Sequence, residues 1–176
     1  MQGQVKAALP QIEARLVRVA AWWQQQCAGQ PVPEAPYAEI ARAYISALDI
    51  ARQADYARQD WASALHRIDA VLEVKRALQR PAEDIARDRV NRANVLGRLG
   101  RFGEARAELE ACLPLFQNDP AASSTVLSSL ADLFDKQGDV AQAITQERRA
   151  LALREQLPDP RDRAISHNNP ANHPER

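Results

Sequence analysis

Aromatic residues are scarce in this sequence, 5% of 176 residues, and glycine, cysteine and methionine number only six, two and one. Val, Ile and Thr never alternate with polar residues over a strand-length run, which argues against a sheet. Two cysteines, Cys27 and Cys112, do not make a disulfide framework, so the expected setting is the reducing cytoplasm. Neither sign of charge is in excess, with 23 Lys+Arg against 23 Asp+Glu. Nucleic acid and anionic membrane both call for a clustered positive excess, so neither is expected as a partner. A net charge of zero also removes repulsion between copies and favours self-association. No apolar run approaches the roughly 20 residues that cross a bilayer. The N-terminal stretch is interrupted by Pro10, Glu13, Arg15 and Arg18 and has neither the apolar core nor the cleavage site of a signal peptide.

The residue types that carry catalysis are equally thin. His66, His167 and His173 are the only histidines; the last two are six apart, with no cysteine nearby, and make no zinc motif. Gly97, Gly100 and Gly103 lie within and after a helical pattern, not behind a strand, and no Gly-Lys-Ser or Gly-Lys-Thr follows. Ser123-Ser124 and Ser128-Ser129 lack the flanking glycines of a nucleophile elbow. Carboxylates such as Glu104, Glu108 and Glu147 sit among arginines at helical spacing and read as a solvated charged face. Of the adjacent Trp22 and Trp23, which point about 100° apart on a helix, Trp23 is expected in the core and Trp22 toward a neighbouring helix or a partner. The sequence therefore predicts no enzyme, no cofactor and no metal.

What is present is one helical pattern written twice. RANVLGRLGRFGEARAELEACLPLF is followed by SSLADLFDKQGDVAQAITQERRALAL, with Gly100 on Gly138, Phe102 on Val140, Ala105 on Ala143, Cys112 on Ala150 and Leu113 on Leu151, at an offset of 38 residues. Self-similarity at such a period marks stacked helix pairs. The small residue in one helix, the turn glycine and the alanine in the next resemble the tetratricopeptide repeat. With the longer period, Asn168-Asn169 and ALALREQLPDPRDRAISHNN, the chain looks most like the kinesin-light-chain type, in a bacterial style. The resemblance implies an all-α, right-handed solenoid of antiparallel helix hairpins with about seven helices.

Along the chain, residues 1–30 are expected as an N-terminal amphipathic helix, whose stripe is Val5, Leu9, Ile12, Leu16, Val19, Trp23 and Cys27. Its firm part is expected from Pro10, which would otherwise kink an interior turn. The repeat domain spans 34–160, with hairpins at about 34–79, 82–117 and 120–157. The first is degenerate: helices of about 34–52 and 56–78 are expected, Trp61 takes the slot of Phe102, Gln59 replaces the turn glycine, and Asp55 stands where Leu96 and Phe134 stand later. Asp119-Pro120 caps and opens one helix, and Asp159-Pro160 repeats the signal. Arg89 and Arg92 fall where the next repeat has Leu127 and Leu130, so that helix is expected to turn Val90, Ala93 and Leu96 inward. Leu113, Leu130 and Leu151 are expected to be buried.

The resemblance also implies a function: a module that holds a protein or peptide in the concave groove lined by the first helix of each pair. The family's inward positions map onto Arg87, Val90, Asn94, Gly97 and Arg98, then onto Thr125, Ser128, Asp132, Asp135 and Lys136, with Ser46, Asp49, Gln53 and Tyr56 from the first hairpin. A clamp for chaperone C-termini would need lysines where Asp49, Val90 and Thr125 stand, which disfavours that partner. The alternative is a regulatory or self-assembly segment of a larger enzyme or signalling ATPase. Residues 161–176 read as a truncated fourth repeat or disordered tail, because Pro170 and Pro174 fall on the core positions Leu130 and Phe134. That leaves the face of the last helix with Ile144 and Leu151 uncovered, and a homodimer through it is expected.

Overall fold

The computed structural model describes the backbone of residues 2–27 and 37–157, with side chains described for 10, 11, 13–25 and 38–157. Every regular element in that range is helical: α1 (Gln2–Cys27), α2 (Tyr37–Ala57), α3 (Trp61–Ala77), α4 (Ala82–Arg98), α5 (Phe102–Cys112) with a 3-10 turn over Leu113–Phe116, α6 (Pro120–Lys136) and α7 (Val140–Arg154). The chain divides into two compact units, Met1–Asp88 and Arg89–Arg176, and the division falls inside α4. The expectations about Cys27, His167, His173, Pro170 and Pro174 lie outside the described side chains.

Four helix-ending turns are built alike. Backbone N–H groups of Asp60, Arg80, Arg101 and Asp139 reach back five residues to the carbonyls of Asp55, Lys75, Leu96 and Phe134, at 2.9–3.0 Å. This 6→1 bond closes a helix whose next residue is left-handed. Gly100 and Gly138 supply that residue after α4 and α6, whereas Gln59 and Gln79 supply it after α2 and α3. Three helices start on side-chain caps, α3 where Asp60 accepts from Ser63, α6 where Asp119 accepts from Ala122 and α7 where Asp139 accepts from Gln142, satisfying amides that the helix leaves open; α5, after Arg101, has no such cap.

In the first unit, α1 and α2 bury Leu16, Trp23, Ala41, Tyr44, Leu48 and Ala51 against Val71 and Val74 of α3. Burial of the Tyr44 ring pushes its hydroxyl pKa up. α1 runs unbroken through Pro10 from Gln2, so the proline does not set its start. α2 continues to Ala57 and α3 begins only at Trp61, later than the spacing of apolar residues suggested, because Asp60 is the cap. Asp55 lies at a core position yet is fully buried as an ion: Arg58 Nη2 donates to it at 2.5 Å, and Arg67 Nε donates to its other oxygen. Arg67 also reaches Glu13 of α1 at 3.2 Å, so one guanidinium ties α3 to both preceding helices.

In the second unit α4 turns Val90, Ala93, Leu96 and Gly97 inward. Arg89 and Arg92 stay half-buried, both donating to the carboxylate of Glu108 on α5, at 3.1 and 2.8 Å. Glu108 is thus a bridging anion and not part of a solvated face. Leu130 is buried, but Leu113 and Leu151 are only half-buried. The reason is register: Ala105, Leu109, Cys112 and Phe116 form the inward stripe of the second hairpin, and Ala143 and Ala150 repeat it in the third. Leu113 instead edges a crease of about 250 Å³ floored by Leu130 and Phe134. Pro114, without an N–H, ends α5 at Cys112, and the chain tightens into the 3-10 turn.

Candidate functional site

The expected groove residues of the second unit stand on α4 and α6, two helices with one apolar side each. On α6, Ala122, Val126, Leu127, Leu130, Ala131, Leu133 and Phe134 are buried, and Thr125, Asp132 and Asp135 emerge between them as exposed positions. On α4, Asn94 and Arg98 are exposed one turn apart. Val90 is not available: it is 5% exposed, because α4 rotates to bury it, and it packs instead of lining a groove. Gly97 brings the two helices together, since a Cβ there would lie 3.2 Å from Leu133 Cδ1. The glycine's role is therefore close approach of helices, with Asn94 and Arg98 on either side of it.

The polar groups of α6 are partly committed. Lys136 pairs with Asp132, and Thr125 Oγ1 donates to the carbonyl of Ala121 at 3.0 Å. Ser128, half-buried, donates to Glu147 Oε2 at 2.8 Å and accepts from Arg154 Nη2 at 2.8 Å, while Arg154 Nη1 lies 3.3 Å from Glu147 Oε1. Glu147 has 0% exposure. It is not the solvated acid that its arginine-rich surroundings suggested; it is the buried corner of a triad with the half-buried Ser128 and Arg154. Glu147 and Arg154 escaped the reading of charge patterns, although the 38-residue offset places Glu147 on Leu109 and so marks it as a core position. The Asp135 side chain is exposed and has no hydrogen bond among those described, whereas its carbonyl accepts from Gly138 N at 2.9 Å.

The remaining expected positions lie in the first unit. Arg87 is exposed on the first half of α4. Ser46 and Gln53 are exposed on α2, and Asp49 and Tyr56 are held around Arg52, which pairs with Asp49 at 3.0 Å and lies 5.3 Å from the Tyr56 ring centroid. Nearby, Lys75 of α3 sits between Asp84 and Asp88 of α4 at 2.8 and 2.7 Å. The hydrogen bonds from Lys75 and Arg80 hold the Asp84 pKa below its ordinary value, whereas burial pushes that of Asp88 up. His66 is exposed on α3. Among the described residues no group of His, Cys, Asp and Glu could hold a metal, and no helix is long and apolar enough to cross a membrane.

Capped antiparallel helices, repeated turns and two helix faces with polar residues presented outward define an all-helical repeat protein. Residues 84–156, covering α4 to α7, match the family model of the tetratricopeptide repeat. No curated protein matches the chain. By that match, the part of the chain from α4 to α7 is similar to the tetratricopeptide repeat.

Proposed function

We infer that the chain is a scaffold or adaptor module whose partner, a peptide or protein, lies along the face shared by α4 and α6. The observation that carries this reading is the alternation of fates on those helices. Val90, Val95, Leu96, Val126, Leu127, Leu130, Leu133 and Phe134 pack, whereas Asn94, Arg98, Thr125, Asp132 and Asp135 are exposed at the inward positions of the family. Ser128 and Lys136 complete the surface. Asn94 offers both donor and acceptor to a partner's backbone; the acidic pair on α6 suits a basic side chain.

Affinity capture with the chain, repeated with Asn94→Ala plus Arg98→Ala, tests the reading. Capture should fall strongly while the melting temperature stays within about 1–2 °C, because exposed polar substitutions change stability by at most about 0.5 kcal/mol. Equal capture by both proteins removes these residues from the site. Loss of folding would instead mean that the buried and presented faces of α4 are exchanged.

A further inference from the structure

A second surface lies in the first unit, on residues that the α4–α6 face does not use. α1 and α2 leave a crease of about 510 Å³ between them, lined by Arg15, Arg18, Val19 and Trp22 of α1 and Ile40 of α2. At 100° per residue, Arg15, Arg18, Val19 and Trp22 fall within one quarter or so of the helix circumference. Leu16 and Trp23, one position further round, are the residues that bury toward α2 and α3. The crease is therefore the flank of the α1–α2 packing, with an apolar floor and two guanidinium groups on its rim.

Charge gives the crease its selectivity. Arg15 and Arg18 are exposed, and none of the described residues pairs with either. Glu13, the only acid on α1, is turned to Arg67 and Arg58. Among the described residues no carboxylate lines the crease, in a chain whose overall charge is zero. We propose that this crease docks an amphipathic helix of a protein partner that sets apolar side chains on Val19, Trp22 and Ile40 and carboxylates against Arg15 and Arg18. Helix-in-groove binding suits a trough between two helices. A bilayer fits it less well, because the apolar floor is recessed between the helices and does not protrude.

The probe is a fluorescein-labelled peptide of about 15 residues, long enough to hold some helix, with leucines at i, i+3, i+4, i+7 and glutamates beside them. A counterpart carries lysines for the glutamates. The acidic peptide should bind the full chain, and binding should weaken as salt rises. Arg15→Glu plus Arg18→Glu should weaken it at least about tenfold, since reversing rim charges turns attraction into repulsion. Arg15→Gln plus Arg18→Gln should weaken it less, and Ile40→Asp should also reduce it. Asn94→Ala plus Arg98→Ala should leave it unchanged, which separates this surface from the one above. Circular dichroism checks that each variant is folded. Equal binding of the lysine peptide, or full affinity in the folded Arg15→Glu, Arg18→Glu variant, overturns the proposal. So does binding to phosphatidylglycerol vesicles without binding to the peptide, or a dimer of the chain that the arginine variant dissolves.

Discussion

Gln59 and Gln79 hold φ values of 56° and 51°, in the region where Gly100 and Gly138 hold 74° and 80°. A side chain there costs about 1–2 kcal/mol against the right-handed form, partly offset by the larger entropy that glycine loses on folding, about 0.5–1 kcal/mol. Gln59→Gly and Gln79→Gly should each raise unfolding free energy by up to about 1 kcal/mol, whereas Gly100→Ala and Gly138→Ala should lower it by about 1 kcal/mol or more. Urea denaturation measures both, and a loss of stability in the Gln→Gly variants would refute the shared turn geometry. Cys112 gives another single-residue check. It is fully buried, and burial pushes its thiol pKa up. In a Cys27→Ser background it should resist iodoacetamide at pH 8 until urea unfolds the chain; rapid alkylation in the native protein would contradict its place in the core.

Between helices, the two hairpins exchange polar and apolar seams. The second hairpin buries Val90, Leu109 and Phe116 where the third has Ser128, Glu147 and Arg154. Conversely, the third buries Leu127 and Leu130 where the second pairs Arg89 and Arg92 with Glu108. Removing one member of a buried ion pair strands the other, so Glu147→Ala should cost about 3–5 kcal/mol. Replacing the triad together, Ser128→Val, Glu147→Leu and Arg154→Met, should recover most of that loss, because well-packed apolar groups avoid the desolvation of charge. A combined variant no more stable than Glu147→Ala would show that the triad is needed for more than filling space. In the first unit, the Lys75 cluster makes a pH-dependent contribution. Asp84, whose folded pKa is lowered, stabilises above about pH 4, the range of an unfolded aspartate, and this is lost as pH falls through its folded value. Asp84→Asn should therefore lower the melting temperature at pH 7 and matter little at pH 2. Asp88 has the opposite sign, its raised pKa making the charged form the unfavourable one, so Asp88→Asn should cost less at pH 7.

At the scale of the molecule, Leu130 tests whether the repeats share one core. It lies on α6, which packs against both α5 and α7. Leu130→Ala should cost about 2–5 kcal/mol through lost transfer energy and a cavity. Hydrogen exchange should quicken in α5 and α7 as well as α6, since stacked repeats stabilise their neighbours. An unchanged melting temperature would break the register. That register was legible from sequence, because turn residues, Asp caps and the Ala105/Ala143 and Cys112/Ala150 spacing are local signals, each acting within a few residues of itself. All-helical composition followed from the same periodicity. What the sequence could not rank was which residue of a mixed stripe turns inward, since that depends on the neighbouring helix. Arginines at 89 and 92 were tolerable only because Glu108 lies across from them, and Glu147 could be buried only because Ser128 and Arg154 close around it. Asp55 likewise waits on Arg67, twelve residues away. The sequence by itself determined the helices and their repeat. Only tertiary structure decided the burial of charge, because a buried ion is stable or not according to partners that local periodicity does not contain.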